Sequence, residues 1–237
     1  KYADNKTLSH LIDSISLEDN RIANHKSAFA DHPKAMIAAL EKCTDKQAVT
    51  MSKLVDFNAY PDVMITAIQK HPDAFKDACI KCMESDNKEL QNVAIKNAHK
   101  SDVLYLLTKN KNTDVALTAA SRNEREINSY LISDNNPEVV TKLPIYCRNR
   151  EQLSEVFAKT SVDDINKTID QLDNAKDKTN YMIAMAACCT TDKITNYIQE
   201  SGNLDLLDHC SPQVLELVKG KTTEEVIKSK INNLQKK

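Results

Sequence analysis

Glycine is almost absent from this chain: only Gly202 and Gly220 occur in 237 residues. No Asn-Gly or Asp-Gly pair exists, and tight hairpin turns need φ > 0 at their centre. Long alternating β-branched runs are missing too. These absences exclude a hairpin-built sheet and leave an all-α chain. They also exclude the glycine-rich phosphate loop and the dinucleotide fingerprint, which bring backbone close to a ligand. No His-Glu-x-x-His, Gly-x-Ser-x-Gly or paired-carboxylate motif is present.

Other shortages narrow the setting. No apolar run reaches the roughly 18 to 20 residues that cross a bilayer. Seven cysteines, an odd number spread over a long chain, do not make a secreted disulfide framework. Reduced thiols packed as small apolar side chains, in a cytosol, fit better. Charge is near balance, with 32 basic against 34 acidic groups and a pI near 6.3. A duplex-DNA binder would carry a basic stripe instead. The lysine-rich C-terminus, from Lys219 to Lys237, suits a solvated helix end favoured by its dipole. The chain opens at Lys1 without a methionine and reads as a trimmed or mature piece. Abundant Lys and Asn beside scarce Arg point to an AT-rich, bacterial genome.

What is present is a recurring signature: Pro, a polar residue, a small or β-branched apolar residue, then a larger one. It reads Pro33-Lys34-Ala35-Met36, Pro61-Asp62-Val63-Met64, Pro72-Asp73-Ala74-Phe75, Pro137-Glu138-Val139-Val140 and Pro212-Gln213-Val214-Leu215. Proline suits the first helical turn, where its missing N–H costs nothing. With Ser or Thr in place of Pro the same pattern appears at Ser101 and Thr113. Thr44, Asp86, Thr191, Asn203 and Thr223 mark further starts. Central starts fall at Ser101, Thr113, Arg125, Pro137, Arg150, Asp163 and Lys176, 12 or 13 residues apart. Pro144 is off position and should cut the helix begun at Pro137. Tyr181 to Cys189 is densely apolar and reads as a helix central in its layer.

A helix of about nine residues is roughly 14 Å long and unstable alone, so it must pack on neighbours. Short connections make those neighbours antiparallel or steeply angled. Two helices per unit give a repeat of 24–26 residues, within the range of helical arrays. The expected fold is a right-handed α-solenoid of short antiparallel helix pairs. Residues 1–31 form an N-terminal helical cap, 32–200 the array, and 201–237 C-terminal capping helices, in one continuous domain.

The stretch Asn136-Pro137-Glu138-Val139-Val140 through Arg148-Asn149-Arg150-Glu151-Gln152-Leu153 resembles HEAT-like and leucine-rich-repeat-variant arrays. The resemblance covers residues 100–175 best. It departs in lacking a regular arginine in the second helix and an iron–sulfur cysteine cluster at the front. It implies a helical-repeat fold and a binding habit, and no chemistry.

Cys79-Ile80-Lys81-Cys82 is a Cys-x-x-Cys pair placed late in a helix, where the dipole does not favour a thiolate. Only His71 and His99 are at hand as further metal ligands. Both cysteines read as core thiols, and no metal or cofactor is expected. The arginines are more informative. Only five occur, and four are Arg122, Arg125, Arg148 and Arg150. Arg122 and Arg148 are 26 residues apart, and Arg125 and Arg150 are 25 apart. One repeat therefore separates each pair, which suggests an arginine ladder gripping carboxylates or phosphates. Tyr105, Tyr130 and Tyr146 lie in the same region and would add aromatic anchors. The competing reading pairs these arginines with Glu124, Glu126 and Glu151.

The expected function is a non-enzymatic protein-interaction module that binds a partner with an acidic patch on its concave face. A bacterial effector domain, or a regulator restraining an effector or toxin, in the bacterial or host cytosol, fits that role. The alternatives are a HEAT-like nucleic-acid binder and an enzyme whose site is scattered in sequence.

Overall fold

A computed structural model of the chain describes residues 32–54 and 56–236. These contain sixteen α-helices, two 3-10 segments and no strand, so the all-α expectation holds. The expected N-terminal cap, residues 1–31, lies outside the described residues. The chain divides between Asn110 and Lys111 into two compact units.

The first unit holds α1 (Pro33–Leu40), α2 (Asp45–Leu54), α3 (Pro61–Lys70), α4 (Lys76–Cys82), α5 (Lys88–Asn97) and α6 (Lys100–Lys109). Pro33 and Pro61 sit in first turns as expected. Thr44 and Gln47 form a reciprocal capping box before α2. Pro72 does not open a helix. Residues 72–75 form a turn, and α4 begins at Lys76. The cause is Phe75, which stacks on Phe57 at 5.9 Å and leaves helical geometry at φ −112°, ψ 25°. The cap of α5 is Asn87 rather than Asp86. Helix α3 packs on both α1 and α5. Buried His71 ties the ends of α1 and α2 together, its ring nitrogens lying 2.6 Å from the Asp45 carboxylate and 2.8 Å from the Leu40 carbonyl. Cys79 and Cys82 are both buried, and the Cys79 thiol donates to the Ala94 carbonyl at 3.1 Å.

The second unit holds α7 (Thr113–Ala120), α8 (Arg125–Asp134), α9 (Pro137–Val140), α10 (Leu143–Tyr146), α11 (Arg150–Lys159), α12 (Val162–Asp170), α13 (Ala175–Cys188) and α14 (Thr191–Ser201). A 3-10 segment, Leu204–His209, then leads to α15 (Pro212–Lys221) and α16 (Glu225–Leu234). The central starts lie within one residue of those the sequence predicts. Side-chain caps explain this: Asn112, Asn136, Asn149, Ser161 and Asn174 each accept a first-turn N–H. Pro144 does more than cut a helix, because it sits in the first turn of a separate one-turn helix, α10. Asn203 opens a 3-10 segment instead of an α-helix.

Helices distant in sequence pack together: α8 on α11, α10 and α11 on α13, and α12 on α14. Tyr181, Tyr197 and Phe157 are the largest fully buried side chains, and the rings of Phe157 and Tyr181 meet edge to face at 5.7 Å. Lys193 closes the C-terminal end of α11, its amine donating to the Phe157 carbonyl and, at 2.6 Å, to that of Thr160. Helix α13 is not enclosed all round. Its Ile183 is 47% exposed, and that open face forms part of the site below.

Candidate functional site

Two connections, one before α8 and one before α11, carry the four arginines. The first reads Arg122-Asn123-Glu124-Arg125-Glu126 and the second Arg148-Asn149-Arg150-Glu151. With a one-residue gap they match, and the residue missing from the second is Glu124. That glutamate decides the state of the first. Arg122 Nε and Nη2 donate to Glu124 Oε1 at 2.7 and 2.5 Å, with the arginine side chain 12% exposed. Its carboxylate is thereby drawn from capping, and Glu124 makes no side-chain cap to α8. In the second connection Asn149 stands at the cap and accepts from Gln152 N–H at 3.0 Å.

The connections are joined to each other. Asn123, in the left-handed region at φ 56° that asparagine tolerates, accepts the Arg148 backbone N–H at 3.0 Å. Gln152, buried, donates to the Arg125 carbonyl at 2.7 Å and to Ser129 Oγ at 2.8 Å. Arg125 reaches forward to Glu151 at 3.1 Å, on an exposed surface.

Arg148 and Arg150 are exposed, and neither guanidinium has a hydrogen-bond or ion-pair partner among the described residues. Both line a groove of about 560 Å³ between the start of α11, one face of α13, and the start of α15. Its apolar wall is Leu153, Ile183, Ala184, Ala187 and Val214, while Asn180, His209 and Ser211 supply polar groups. No carboxylate and no Phe, Tyr or Trp ring lines it. The alanines make the concavity, since a larger side chain at Ala184 or Ala187 would fill it. Ser211 caps α15 through Val214 N–H and so fixes that wall.

Two thiols, Cys147 and Cys188, also line the groove. Burial raises the pKa of each above the ordinary thiol range, and the adjacent Arg148 and Arg150 oppose this in turn. Cys189 is pushed up to about 12 and Cys210 to about 11, both chiefly by burial. Protonated thiols of this kind are poor nucleophiles near neutrality. Among the described residues no three His, Cys, Asp or Glu side chains are arranged to hold a metal ion.

The remaining candidates fall elsewhere. Tyr130 lies beside Lys111, whose amine donates to its hydroxyl at 3.2 Å and to Asp134 at 2.5 Å. Tyr146 is half-buried at the end of α10, and burial followed by the nearby Asp177 raises its pKa. Neither lines the groove. Tyr105 belongs to the first unit, 66% exposed, with the Lys109 amine 5.7 Å from its ring centre. Sequence reasoning missed Asn180, Ile183, Ala187, His209 and Val214. Their signal was weak, since an Ile and Ala within the apolar run of α13 look the same whether they face a core or a groove.

No protein-family model, curated protein or solved structure matches this chain. Among the described residues no helix is long and apolar enough to cross a membrane.

Proposed function

We propose that this chain is a non-enzymatic protein-interaction module, a right-handed α-solenoid of 24–26-residue helix pairs whose second unit holds an acidic partner protein. The observation that carries this reading is the groove itself, with two unpaired arginines above an apolar wall in which Ile183 and Ala187 are exposed. Packing between helices distant in sequence, such as α8 on α11 and α12 on α14, supports stacked repeats. The role fits an effector domain or a regulator that restrains an effector or toxin, in a bacterial or host cytosol.

Site-specific photo-crosslinking tests it. A photoreactive residue replacing Ala187 should trap one partner species saturably, whereas the same residue at exposed Asp163 should not. Equal labelling from both positions, or none from Ala187, would sink the proposal.

A further inference from the structure

We infer that the groove takes an extended acidic–apolar peptide segment, with carboxylates at alternate positions held by Arg148 and Arg150 and an apolar side chain set on Ile183 and Val214. This rests on the reading of the chain as an interaction module and specifies what that module recognises.

Three features converge on this ligand. First, Arg148 and Arg150 flank Asn149, which is extended at φ −79°, ψ 119°. One extended residue between them sets their Cα atoms about 6.5–7 Å apart, and both side chains line the same groove. An extended peptide repeats that spacing, so carboxylates at positions i and i+2 meet the two guanidinium forks in register. Second, the groove is electrostatically incomplete. It carries two guanidiniums and an imidazole, no lining carboxylate, and no ion pair to either arginine among the described residues. An anionic group supplies the missing partner through charge-assisted hydrogen bonds.

Third, the wall below the arginines is apolar, and Ile183 stays 47% exposed. A bare inorganic anion would leave that wall uncovered. A nucleic-acid strand would look for a series of stacking platforms, and the groove offers no Phe, Tyr or Trp ring and only the His209 imidazole. Its volume of about 560 Å³ falls within the range of roughly 300–1,000 Å³ typical of ligand sites. Asn180 and Ser211 stand where they can meet the backbone of such a segment.

The test uses the full chain and a fluorescein-labelled peptide alternating aspartate and leucine. Its asparagine–leucine analogue, inorganic phosphate and a single-stranded oligonucleotide serve as competitors. Anisotropy should show saturable binding of the acidic peptide, at least tenfold tighter than its analogue. R148E with R150E should weaken it by roughly 100-fold, and Ala187→Phe, which fills the groove, by at least tenfold. R125E, outside the groove, should leave it unchanged. All four positions changed are exposed, and circular dichroism melts should confirm that each variant folds.

Equal affinity for the two peptides would overturn the inference, as would no binding, or binding that survives in the double variant. Competition by phosphate at equal charge would reduce the groove to an anion site, and preferential binding of the oligonucleotide would replace the peptide. The two proposals fail separately. A peptide that binds as described, with no crosslinked partner from Ala187, removes the interaction module but leaves the groove's chemistry. A crosslinked partner whose capture survives R148E with R150E removes only the peptide.

Discussion

The connections before α8 and α11 carry nearly the same residues yet end in opposite electrostatic states. In the first, Glu124 satisfies Arg122, and Arg125 reaches the exposed Glu151. In the second, the glutamate is missing, Asn149 takes the capping role, and Arg148 and Arg150 turn to a groove without carboxylates. Glu124 satisfies Arg122 within its own loop and the second loop's Glu151 is taken by Arg125, which leaves Arg148 and Arg150 needing an anion from outside. Repetition supplied the scaffold, and a small departure from repetition supplied the chemistry. The residue before each arginine differs as well, polar Ser121 in one case and buried Cys147 in the other.

The largest effect that would break the contrast is loss of the wall behind the second loop. Tyr181 is fully buried against Phe157, so Tyr181→Ala should cost about 3–5 kcal/mol and remove peptide binding with it. Its hydroxyl has no partner among the described residues. Tyr181→Phe should therefore be neutral or stabilising by up to about 1 kcal/mol. Denaturant melts of the two variants check both.

Next comes the tie between the loops. Gln152→Ala leaves the Arg125 carbonyl without its donor and should cost about 2 kcal/mol in urea unfolding. A comparable dependence follows from the thiols around α13. An unfolded cysteine ionises near pH 8.5, whereas Cys189 and Cys210 do so at about 12 and about 11. Their contribution is complete below the unfolded value and is lost as pH rises toward the folded ones. Unfolding free energy should fall above about pH 9, by at most about 1.4 kcal/mol per pH unit for each thiol before solvent screening is discounted. Stability that stays flat from pH 9 to 11 would contradict this.

Asn149→Asp sharpens the comparison directly, because aspartate still caps α11 while placing a carboxylate between the arginines. Stability should hold within about 0.5 kcal/mol, while acidic-peptide affinity drops about three- to tenfold. The smallest effect is the exposed Arg125–Glu151 pair. A double-mutant cycle should give a coupling below about 0.5 kcal/mol, fading with salt.

The helix starts were legible because caps and first-turn prolines act locally. Asn136-Pro137 and Asn149-Arg150 fix where their helices begin through contacts within the first turn. Pro72 misled because Phe75 is claimed by Phe57, a partner remote in sequence. Pro144 misled because a proline that ends one turn also suits the start of the next. The even spacing of the arginines was visible, but it suggested four equivalent groups. Their division depends on Glu124, absent from the second copy, and on Glu151, which pairs across with Arg125; neither shows until the two connections are set side by side. The apolar half of the groove stayed hidden, since periodicity alone cannot tell a face against solvent from one against a core.

The central claim is that Arg148 and Arg150 take an external carboxylate while Arg122 and Arg125 do not. Heteronuclear NMR of the arginine Nε–Hε groups during titration with the aspartate–leucine peptide tests this most directly. Shifts confined to Arg148 and Arg150, accompanied by the Ile183 methyl, are the predicted result. Shifts at Arg122 or Arg125 of equal size, or small shifts shared by every arginine, would contradict it.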